Sequence, residues 1–379
     1  MISRFVLAVS LAVLMLVTGV SSYIYLGGRQ SKVAAPPQKP TAATPRGQAF
    51  TLPGTLYLAQ SGAIYSFSSG RFHQLTAEAG WTQPALYPDG SNLLVVKRGP
   101  QASDVYTLNL FGAIQIRFTT NSAAPGADTA ASHWSFYPRL GVDQQTIYMS
   151  YDQPKYGYDV IMSVWEIPLS GEIPKGHQWT QANDYTGGDM QPIPLKTGGI
   201  MYTKYVYGPD TKLVGQLWLS TQPESYRYTG DALTSPGEDC REPAISPDGH
   251  EVAMICTYEK QISYLTIASW DGSHLGPRQT VVADQLVAQP IWAPDGSGIA
   301  YLAPGAPAGP FQLWFLPRNA YHPPVPSPIP TPTPTPGGPY NGTLPSPSPV
   351  VVPPPPVVKP IQVTTNNGFD ASSPMTWGG

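Results

Sequence analysis

Short apolar runs alternate with polar turns along most of the chain after residue 54, and the pattern repeats. The clearest unit is "QPALYPDGSNLLVV" from Gln83 to Val96, where one apolar run enters Pro-Asp-Gly and a second run leaves it. The same unit returns as "EPAISPDGHEVAMI" at Glu242 and as "QPIWAPDGSGIAYL" at Gln289. Pro presets φ for the second turn position, Asp bonds to the local backbone, and Gly accepts the left-handed conformation. The pattern therefore predicts three β-hairpins.

Weaker copies of this unit fill the gaps between the clear ones. One copy, "HWSFYPRLGVDQQTIYMSY", begins at His133, and another, "QPIPLKTGGIMYTKY", begins at Gln191. Each unit continues with a third apolar run that carries an aromatic residue, and most units end with a Thr, as in "HQLT" and "DALT". Between residues 54 and 318 there are six such third runs but only five first runs. One first strand is therefore missing from this region.

The missing strand is predicted near the opposite end of the sequence. In "SSPMTWGG", Ser373 and Pro374 match Gln83 and Pro84 of the clearest unit. Repeats of roughly 45 to 55 residues with four strands each are typical of propeller blades. A ring that shares one blade between its two ends leaves no raw sheet edge. We therefore predict an all-β fold, a six-bladed β-propeller over residues 54–379, closed by pairing of its N- and C-terminal strands.

A proline-rich insert interrupts the last predicted blade at residues 319–360. The chain holds 45 prolines, and their density here excludes helix and sheet and favours polyproline II or disorder. The third strand "FQLWFLP" precedes the insert and the fourth strand "KPIQVTT" follows it. The two ends must therefore lie close together, so we predict a disordered loop within the blade. It is either a stalk or docking loop for a partner, or a tolerated surface expansion.

Residues 1–28 carry a signal for membrane targeting. Phe5 to Leu26 form an apolar run without a charge, long enough to cross a bilayer as a helix. We predict an uncleaved signal anchor, with a cleaved signal peptide as the alternative, followed by a disordered linker at residues 29–53. The propeller would then be membrane-anchored and face the periplasm or cell exterior, or be secreted after cleavage. Basic residues flank the run on both sides, so the opposite orientation stays open.

Composition narrows the classes of partner and chemistry. The net charge is -3 and only 12% of the residues are charged, with no block of Lys or Arg. Nucleic-acid binding needs a basic stripe that neutralises phosphates, so no nucleic-acid partner is expected. The sequence has no Gly-x-Ser-x-Gly elbow, zinc-binding His pair, phosphate loop or dinucleotide fingerprint. We therefore predict no metal site, no cofactor and no motif-marked catalytic residue, although a propeller enzyme would leave no local signature.

The residue before the Pro position of each first strand forms one aligned column. First strands line the central channel of a propeller, so this column predicts a polar ring near one channel mouth, with Asp189 and Arg241 just outside it. Convergent polar groups at a concave axis favour ligand binding. A hydrated channel whose residues only solvate one another is the alternative. The predicted ligand-binding residues of the column are Gln83, His133, Gln191, Glu242, Gln289 and Ser373.

The sequence contains two cysteines, Cys240 and Cys256. Each is eight residues from Asp248, which lies in the predicted hairpin turn, so the two should face each other across neighbouring strands. Cross-strand Cβ atoms lie about 4.5 to 5.5 Å apart, which is close enough to bridge. Outside the cytoplasm we therefore predict a disulfide in the fifth blade, with two free thiols as the alternative.

The repeated strand, Pro-Asp-Gly turn, aromatic strand and terminal Leu-Thr resemble the six-bladed propeller of TolB-like proteins. They also resemble the propeller that precedes the hydrolase domain of some dipeptidyl-peptidase-type proteins, although this chain lacks that domain. The resemblance covers residues 54–379 except the insert, and it is specific for fold rather than function. TolB-like proteins are periplasmic or secreted and bind other proteins, which the resemblance implies as an expectation here.

Together these patterns favour a non-catalytic, extracytoplasmic propeller that acts as an interaction scaffold at the cell envelope. We expect a monomer that binds a protein partner or an envelope polymer and reaches the membrane through its N-terminal helix. The alternative is a propeller enzyme, a glycan hydrolase or lyase, with its site at the channel mouth. Such an enzyme would need two carboxylates in the channel, and the aligned column offers only Glu242, with Asp189 nearby. A passive envelope component is a third possibility.

Overall fold

The computed structural model describes residues 51–155, 160–170, 175–257, 262–323 and 358–379. The predictions for residues 1–28, for nearly all of 29–53 and for most of the insert concern residues outside these ranges. Among the residues that are described, no helix combines the length and the apolar character needed to cross a membrane.

The described residues form 24 strands in six antiparallel sheets of four strands each. The first twelve are β1 (Thr55–Gln60), β2 (Ala63–Ser68), β3 (Arg71–Gln74), β4 (Trp81–Leu86), β5 (Asn92–Arg98), β6 (Ser103–Asn109), β7 (Ile114–Arg117), β8 (Ser135–Leu140), β9 (Thr146–Tyr151), β10 (Ser163–Pro168), β11 (His177–Gln178) and β12 (Asp189–Pro194). The others are β13 (Ile200–Tyr207), β14 (Leu213–Ser220), β15 (Asp231–Ala232), β16 (Cys240–Ile245), β17 (Glu251–Thr257), β18 (Ser263–Trp270), β19 (Leu275–Val282), β20 (Ala288–Trp292), β21 (Gly298–Pro304), β22 (Phe311–Pro317), β23 (Ile361–Gln362) and β24 (Thr376–Gly378). Short 3₁₀ helices occupy Thr129–Ala131, Pro209–Thr211, Pro236–Glu238 and Arg318–Ala320.

Each sheet is one blade of a ring. Blade 1 has the order β24-β1-β2-β3, and blades 2 to 6 take the remaining strands four at a time along the chain. The innermost strands of neighbouring blades contact each other in the cyclic order β24, β4, β8, β12, β16, β20 and back to β24. The architecture is therefore a closed, all-β six-bladed propeller.

The ring is closed by strands from both ends of the sequence. In blade 1, β24 pairs antiparallel with β1, with Trp377 opposite Leu56 and Thr376 opposite Tyr57. The indole Nε1 of Trp377 donates a 2.6 Å hydrogen bond to the carbonyl of Pro53. This pairing confirms that "SSPMTWGG" supplies the strand missing from the first unit.

The Pro-Asp-Gly sequences form tight turns between the first and second strands of their blades. Gly90, Gly249 and Gly296 all have φ between 70 and 78°, a conformation that glycine adopts at low cost. Blade 3 makes the same turn without glycine at the left-handed position. Gln144 takes the left-handed position with φ of 55°, and the Asp143 carboxylate accepts backbone hydrogen bonds within the turn. A turn stabilised by a side chain explains why this repeat looks weak in the sequence.

The terminal Thr of the repeats has a physical role. In five blades its hydroxyl accepts a hydrogen bond of 2.9 or 3.0 Å from a backbone N–H of the third strand. The bond satisfies a donor where the short fourth strand has already ended. Blade 5 has a longer fourth strand, β19, and lacks this Thr, as its loose sequence match indicated. The five threonines are Thr76, Thr119, Thr180, Thr234 and Thr364.

The hydrophobic core lies mainly between adjacent blades. Between blades 6 and 1, for example, Leu313 and Phe315 pack with Leu56, Phe67 and Trp377. Fully burying one such side chain contributes about 1.5 to 3 kcal/mol. Each blade therefore depends on both neighbours, and the closing strand β24 belongs to a core shared by two blades.

Candidate functional site

A β-bulge interrupts the innermost strand of five blades at the residue pair that ends in Pro. The pairing register shifts at this pair in β4, β8, β12, β16 and β20. The residue before Pro has φ between 51 and 57° in every case, a left-handed conformation that is uncommon for residues other than glycine. A bulge turns the local backbone away from the ladder. The bulged residues are Gln83, Tyr137, Gln191, Glu242 and Gln289.

The bulges link neighbouring blades through hydrogen bonds around the channel. The backbone N–H of Gln83 donates to the Ser373 hydroxyl at 2.7 Å, and the N–H of Tyr137 donates to Oε1 of Gln83 at 2.7 Å. On the far side, the N–H of Gln289 donates to Oε2 of Glu242 at 2.6 Å. A polar side chain of one blade thus satisfies the bulged backbone of the next. Much of the predicted ligand-binding ring therefore serves to hold the blades together.

His133 does not occupy the ring position predicted for it. Tyr137, four residues later and followed by Pro138, takes that position in blade 3. The prediction aligned Trp134 with the Pro of the other units. Blade 3 has no Pro-Asp-Gly turn from which the correct alignment could have been read. His133 instead precedes β8, where its Nδ1 lies 2.9 Å from Oδ1 of Asp152.

Ser373 reaches the ring by a different route from the other members. It precedes β24 and does not share the left-handed φ of the bulged residues. Its side chain is buried, and it contributes only a hydroxyl to Gln83.

Asp189 and Arg241 form ion pairs near the beginnings of β12 and β16. Asp189 is fully buried, with the Nζ of Lys204 3.4 Å from its carboxylate oxygen. Burial raises the pKa of Asp189 to about 6, and Lys204 partly opposes this rise. The Arg241 guanidinium lies 3.6 Å from Asp239 and 3.9 Å from Glu242. Neither side chain lines the channel cavity described next.

A cavity of about 180 Å³ lies among the innermost strands of blades 3 to 6 and blade 1. Tyr137, Arg139, Gln191, Glu242 and Gln289 supply its polar side chains, together with Thr376 of the closing strand. Burial raises the pKa of Glu242, while the N–H of Gln289 and the charge of Arg241 oppose the rise. The apolar part of the wall includes Ile193, Ile291 and Met375.

The cavity wall contains one carboxylate among the described residues, that of Glu242. The paired carboxylates that a glycan hydrolase would need are therefore not assembled in this part of the wall. Within the same described ranges, no group of three or more His, Cys, Asp or Glu side chains could hold a metal ion.

Cys240 and Cys256 form a disulfide bond in blade 5. The two residues are direct partners in the register of β16 and β17, and both are fully buried. The bond joins the innermost strand that carries Glu242 to the strand beside it.

One face of the ring exposes a group of large apolar side chains. We call it the loop face, because it carries the loops between second and third strands and the connections between blades. The opposite side, with the Pro-Asp-Gly turns, is the turn face. Six of the eleven large apolar side chains found exposed among the described residues lie on the loop face of blades 3 to 6. They are Val160, Tyr185, Tyr207, Leu213, Ile262 and Leu286.

Residues of two consecutive loops meet on this face. The Tyr207 hydroxyl, at the end of β13, donates a 3.0 Å hydrogen bond to the carbonyl of Tyr185, in the connection from blade 3 to blade 4. Tyr185 is 81% exposed and Tyr207 is 54% exposed. Leu213 begins β14 across the same loop and is also exposed. Position along the individual repeats gave no signal for this surface, because these residues lie in loops that differ between blades.

The ring of six four-stranded blades, closed by strands from both ends, defines the chain as a six-bladed β-propeller. No family model and no curated protein matches the sequence. Among solved structures, TolB from Acinetobacter baumannii matches with a TM-score of 0.53 and 12% identity, over 71% of this chain and 62% of that protein. The chain therefore has a TolB-like fold and spans less than two thirds of that protein's length.

Other solved propellers match at lower TM-scores. A protein of Agrobacterium tumefaciens assigned as a TolB matches with a TM-score of 0.47 and 12% identity, over 71% of this chain and 87% of that one. A gluconolactonase from Xanthomonas campestris matches with a TM-score of 0.45 and 13% identity, over 72% of this chain and 85% of that one. At these identities a likeness shows no more than a fold, so function has to be argued from this chain's own residues.

Proposed function

We propose that the chain is a non-catalytic binding propeller that docks a partner protein on its loop face. The observation that carries this proposal is the exposed apolar group on neighbouring blades, centred on Tyr185, Tyr207 and Leu213. Exposed apolar patches mark interaction surfaces, and Tyr is enriched where proteins meet. The aliphatic members of the group, Val160, Leu213, Ile262 and Leu286, offer no hydrogen bonds to a sugar polymer, so a protein is the occupant that fits this surface.

The polar ring supports a scaffold rather than a reaction centre. Gln83, Glu242 and Ser373 use their side chains to satisfy bulged backbone groups of neighbouring blades. These side chains fix the geometry of the ring, and because their oxygens already accept hydrogen bonds they are less available for catalysis. The rigid ring then presents its loops as a stable surface, which lowers the entropy cost of docking.

We place the propeller outside the cytoplasm, on the membrane or secreted. Two features support this location: the uncharged apolar run from Phe5 to Leu26 and the disulfide between Cys240 and Cys256. Disulfides persist mainly in oxidising compartments. Digestion of intact cells and of cells with a permeabilised envelope by an added protease tests this location, and a propeller protected in both would contradict it.

The docking proposal is tested by site-specific photo-crosslinking in cells, with probes at Tyr185 and Leu213 and with control probes at Phe111 and Tyr226. The control residues are 86% and 99% exposed and lie on the turn face. We expect one discrete crosslinked protein from the loop face and none from the turn face. Equal crosslinking from both faces, or none from the loop face, would contradict the proposal.

The partner identified in this way is then purified and its affinity for the full chain measured. We expect the double substitution Tyr185→Asn with Leu213→Ser to weaken binding at least about tenfold, because it removes two apolar contacts. Asn is chosen since Tyr185 has φ of 58°, which Asn tolerates. The matched control, Phe111→Ser with Tyr226→Ser, should bind as the unchanged chain does. A loss of affinity in the control alone would place the interface on the turn face.

A further inference from the structure

Arg139 is out of place in the channel wall. It follows the bulged residue of β8 by two positions, and the corresponding positions of the other bulged strands hold small or aliphatic residues. All of these strands except β4 contribute that residue to the cavity described above. The corresponding residues are Ala85, Ile193, Ala244 and Ile291. A guanidinium thus stands in a layer that is otherwise apolar.

The guanidinium of Arg139 makes no ion pair with another described residue. No hydrogen bond or ion pair joins its guanidinium to any group in the described part of the chain. Burial alone lowers the pKa of Arg139 to about 10, so the side chain remains a cation at neutral pH. The side chain is half-buried in the cavity wall, and removing a charge even partly from water without a partner costs free energy. A residue that only filled the wall would be aliphatic, as it is in the neighbouring blades.

Two further donors face the same cavity with nothing to donate to. The Tyr137 phenol lies on the same strand, and the Gln191 side-chain amide lies on the adjacent strand β12. Within the described residues, neither the phenol O–H nor the amide N–H₂ of these side chains donates a hydrogen bond, and Gln191 only accepts one, from Thr203 at 3.4 Å. Among the described residues, the junctions next to Gln191 also lack the side-chain link to a bulged N–H that joins blades 1 to 3 and blades 5 and 6.

We propose that the channel cavity is a binding site for a small monocarboxylate, whose anionic group is held by Arg139, Tyr137 and Gln191. The planar fork of a guanidinium matches the two oxygens of a carboxylate, and phenol and amide donors complete its hydrogen bonds. The apolar part of the ligand lies against Ile193, Ile291 and Met375. This site is independent of the docking surface on the loop face.

The same wall limits the ligand in size and charge. A cavity of about 180 Å³ holds a molecule of a few heavy atoms and is small for an oligosaccharide or a drug-sized compound. Glu242 adds a carboxylate to the same wall, where it is bonded to the N–H of Gln289. Its charge disfavours a dianion such as phosphate more than a monoanion. A wall with one cation, one carboxylate and an apolar part therefore favours a monoanion with a short aliphatic tail.

The test is titration calorimetry of the full chain with straight-chain acids from acetate to hexanoate. The matched primary alcohols and inorganic phosphate serve as ligand controls. We expect saturable binding of at least one acid, with affinity that rises with chain length until the cavity is full, and no binding of the alcohols. The absence of saturable binding for every acid would overturn the proposal, as would tighter binding of phosphate.

Variants show whether the site lies where we place it. Arg139→Ile copies the residue of neighbouring blades and should lower affinity for the best acid at least about tenfold, as the loss of a charged hydrogen-bond donor requires. Arg139→Lys should lose less, since it keeps the charge without the fork. Arg71→Ile, on the exposed outer strand β3, is the matched control and should bind normally. Unchanged binding by Arg139→Ile would overturn the assignment.

Thermal unfolding without ligand separates binding from a structural role. If Arg139 is kept for a ligand, Arg139→Ile should melt at the same temperature as the unchanged chain or higher, because a half-buried charge without a partner among the described residues has been removed. A melting temperature lower by several degrees would show that Arg139 stabilises the wall and would count against the site.

Discussion

Gln83 and Gln191 occupy the same position of two blades and do different work. Both precede a Pro, both lie on a bulge of the innermost strand, and their φ angles are 54 and 57°. Gln83 is buried and its side chain accepts the bulged N–H of the next blade. Gln191 lines the cavity, and among the described residues it accepts only a long bond from Thr203.

This difference divides the channel wall into two sides. On the locked side, which runs from β24 through β4 to β8, each bulged backbone N–H is satisfied by the preceding blade. On the open side, on both flanks of β12, that link is missing within the described residues, and donor groups of β8 and β12 face the cavity. A repeated fold can thus keep one backbone geometry throughout and free a few side chains for binding where the repeat is interrupted.

Removing β24, the closing strand of the locked side, should lower the stability of the fold more than any other change considered. Deleting Ser372 to Gly379 removes β24, the hydroxyl that accepts from Gln83, and the Trp377 side chain that packs between blades. These losses are comparable with the total stability of a domain, about 5 to 15 kcal/mol. We expect the cooperative thermal transition to disappear in calorimetry and circular dichroism.

A deletion within the proline-rich insert, for example residues 326–355, is the control for this truncation. Shortening a loop changes its closure entropy only slightly, so the melting temperature should stay within a few degrees of that of the unchanged chain. Equal tolerance of both deletions would contradict the role assigned to β24.

A paired substitution tests the two glutamines directly. Gln83→Ala leaves the Tyr137 N–H without its acceptor and should lower the free energy of unfolding by about 1 to 3 kcal/mol relative to Gln191→Ala. Both sites have nearly the same φ, so the strain of placing Ala there cancels in the difference. Denaturant unfolding of the two variants measures it, and equal losses would show that the division into locked and open sides has no energetic meaning.

A change of pH should have the smallest effect on the free energy of unfolding, and this effect arises at Asp189 of β12, on the open side. Burial raises the pKa of Asp189 to about 6, so between pH 4 and pH 6 the folded chain binds more protons than the unfolded chain. Stability should therefore fall as the pH rises through this window, by less than about 1.4 kcal/mol per pH unit, because the two states differ by at most one proton at this group. Above the window this contribution becomes constant.

Asp189→Asn checks the assignment by denaturant unfolding at several pH values. The variant should lose most of the slope, although it will be less stable throughout because Lys204 loses its partner. Glu242→Gln is the companion variant, since burial also raises the pKa of Glu242. A slope that persists in both variants would assign the pH dependence to other groups.

The sequence was sufficient to predict the ring and its closure. Pro-Asp-Gly turns and terminal threonines have local physical causes, so their spacing counts blades even without an alignment. The closing strand was predictable because Ser373 and Pro374 repeat the Gln-Pro step found in other blades. Ser373 indeed reaches the ring, although its backbone conformation differs from that of the bulged residues.

The site was harder to predict because it depends on register. In blade 3 the turn is made by Asp143 and Gln144 instead of Pro-Asp-Gly, and the alignment slipped by four residues to His133. With the Tyr137-Pro138 step aligned instead, Arg139 would have stood out against the aliphatic residues of its column. The loop-face residues carry no such signal, since only tertiary structure brings Tyr185 and Tyr207 together.

The pairing of β24 with β1 also orders events during synthesis. More than 300 residues separate the paired residues Leu56 and Trp377, so a ribosome completes blades 2 to 6 before the closing strand exists. Until then β1 has an open edge, and the core between blades 6 and 1 lacks Trp377. Contacts this distant in sequence form slowly. The growing chain therefore passes through a stage in which most blades are made but the ring is open, and the edge of β1 is exposed to pairing with other strands.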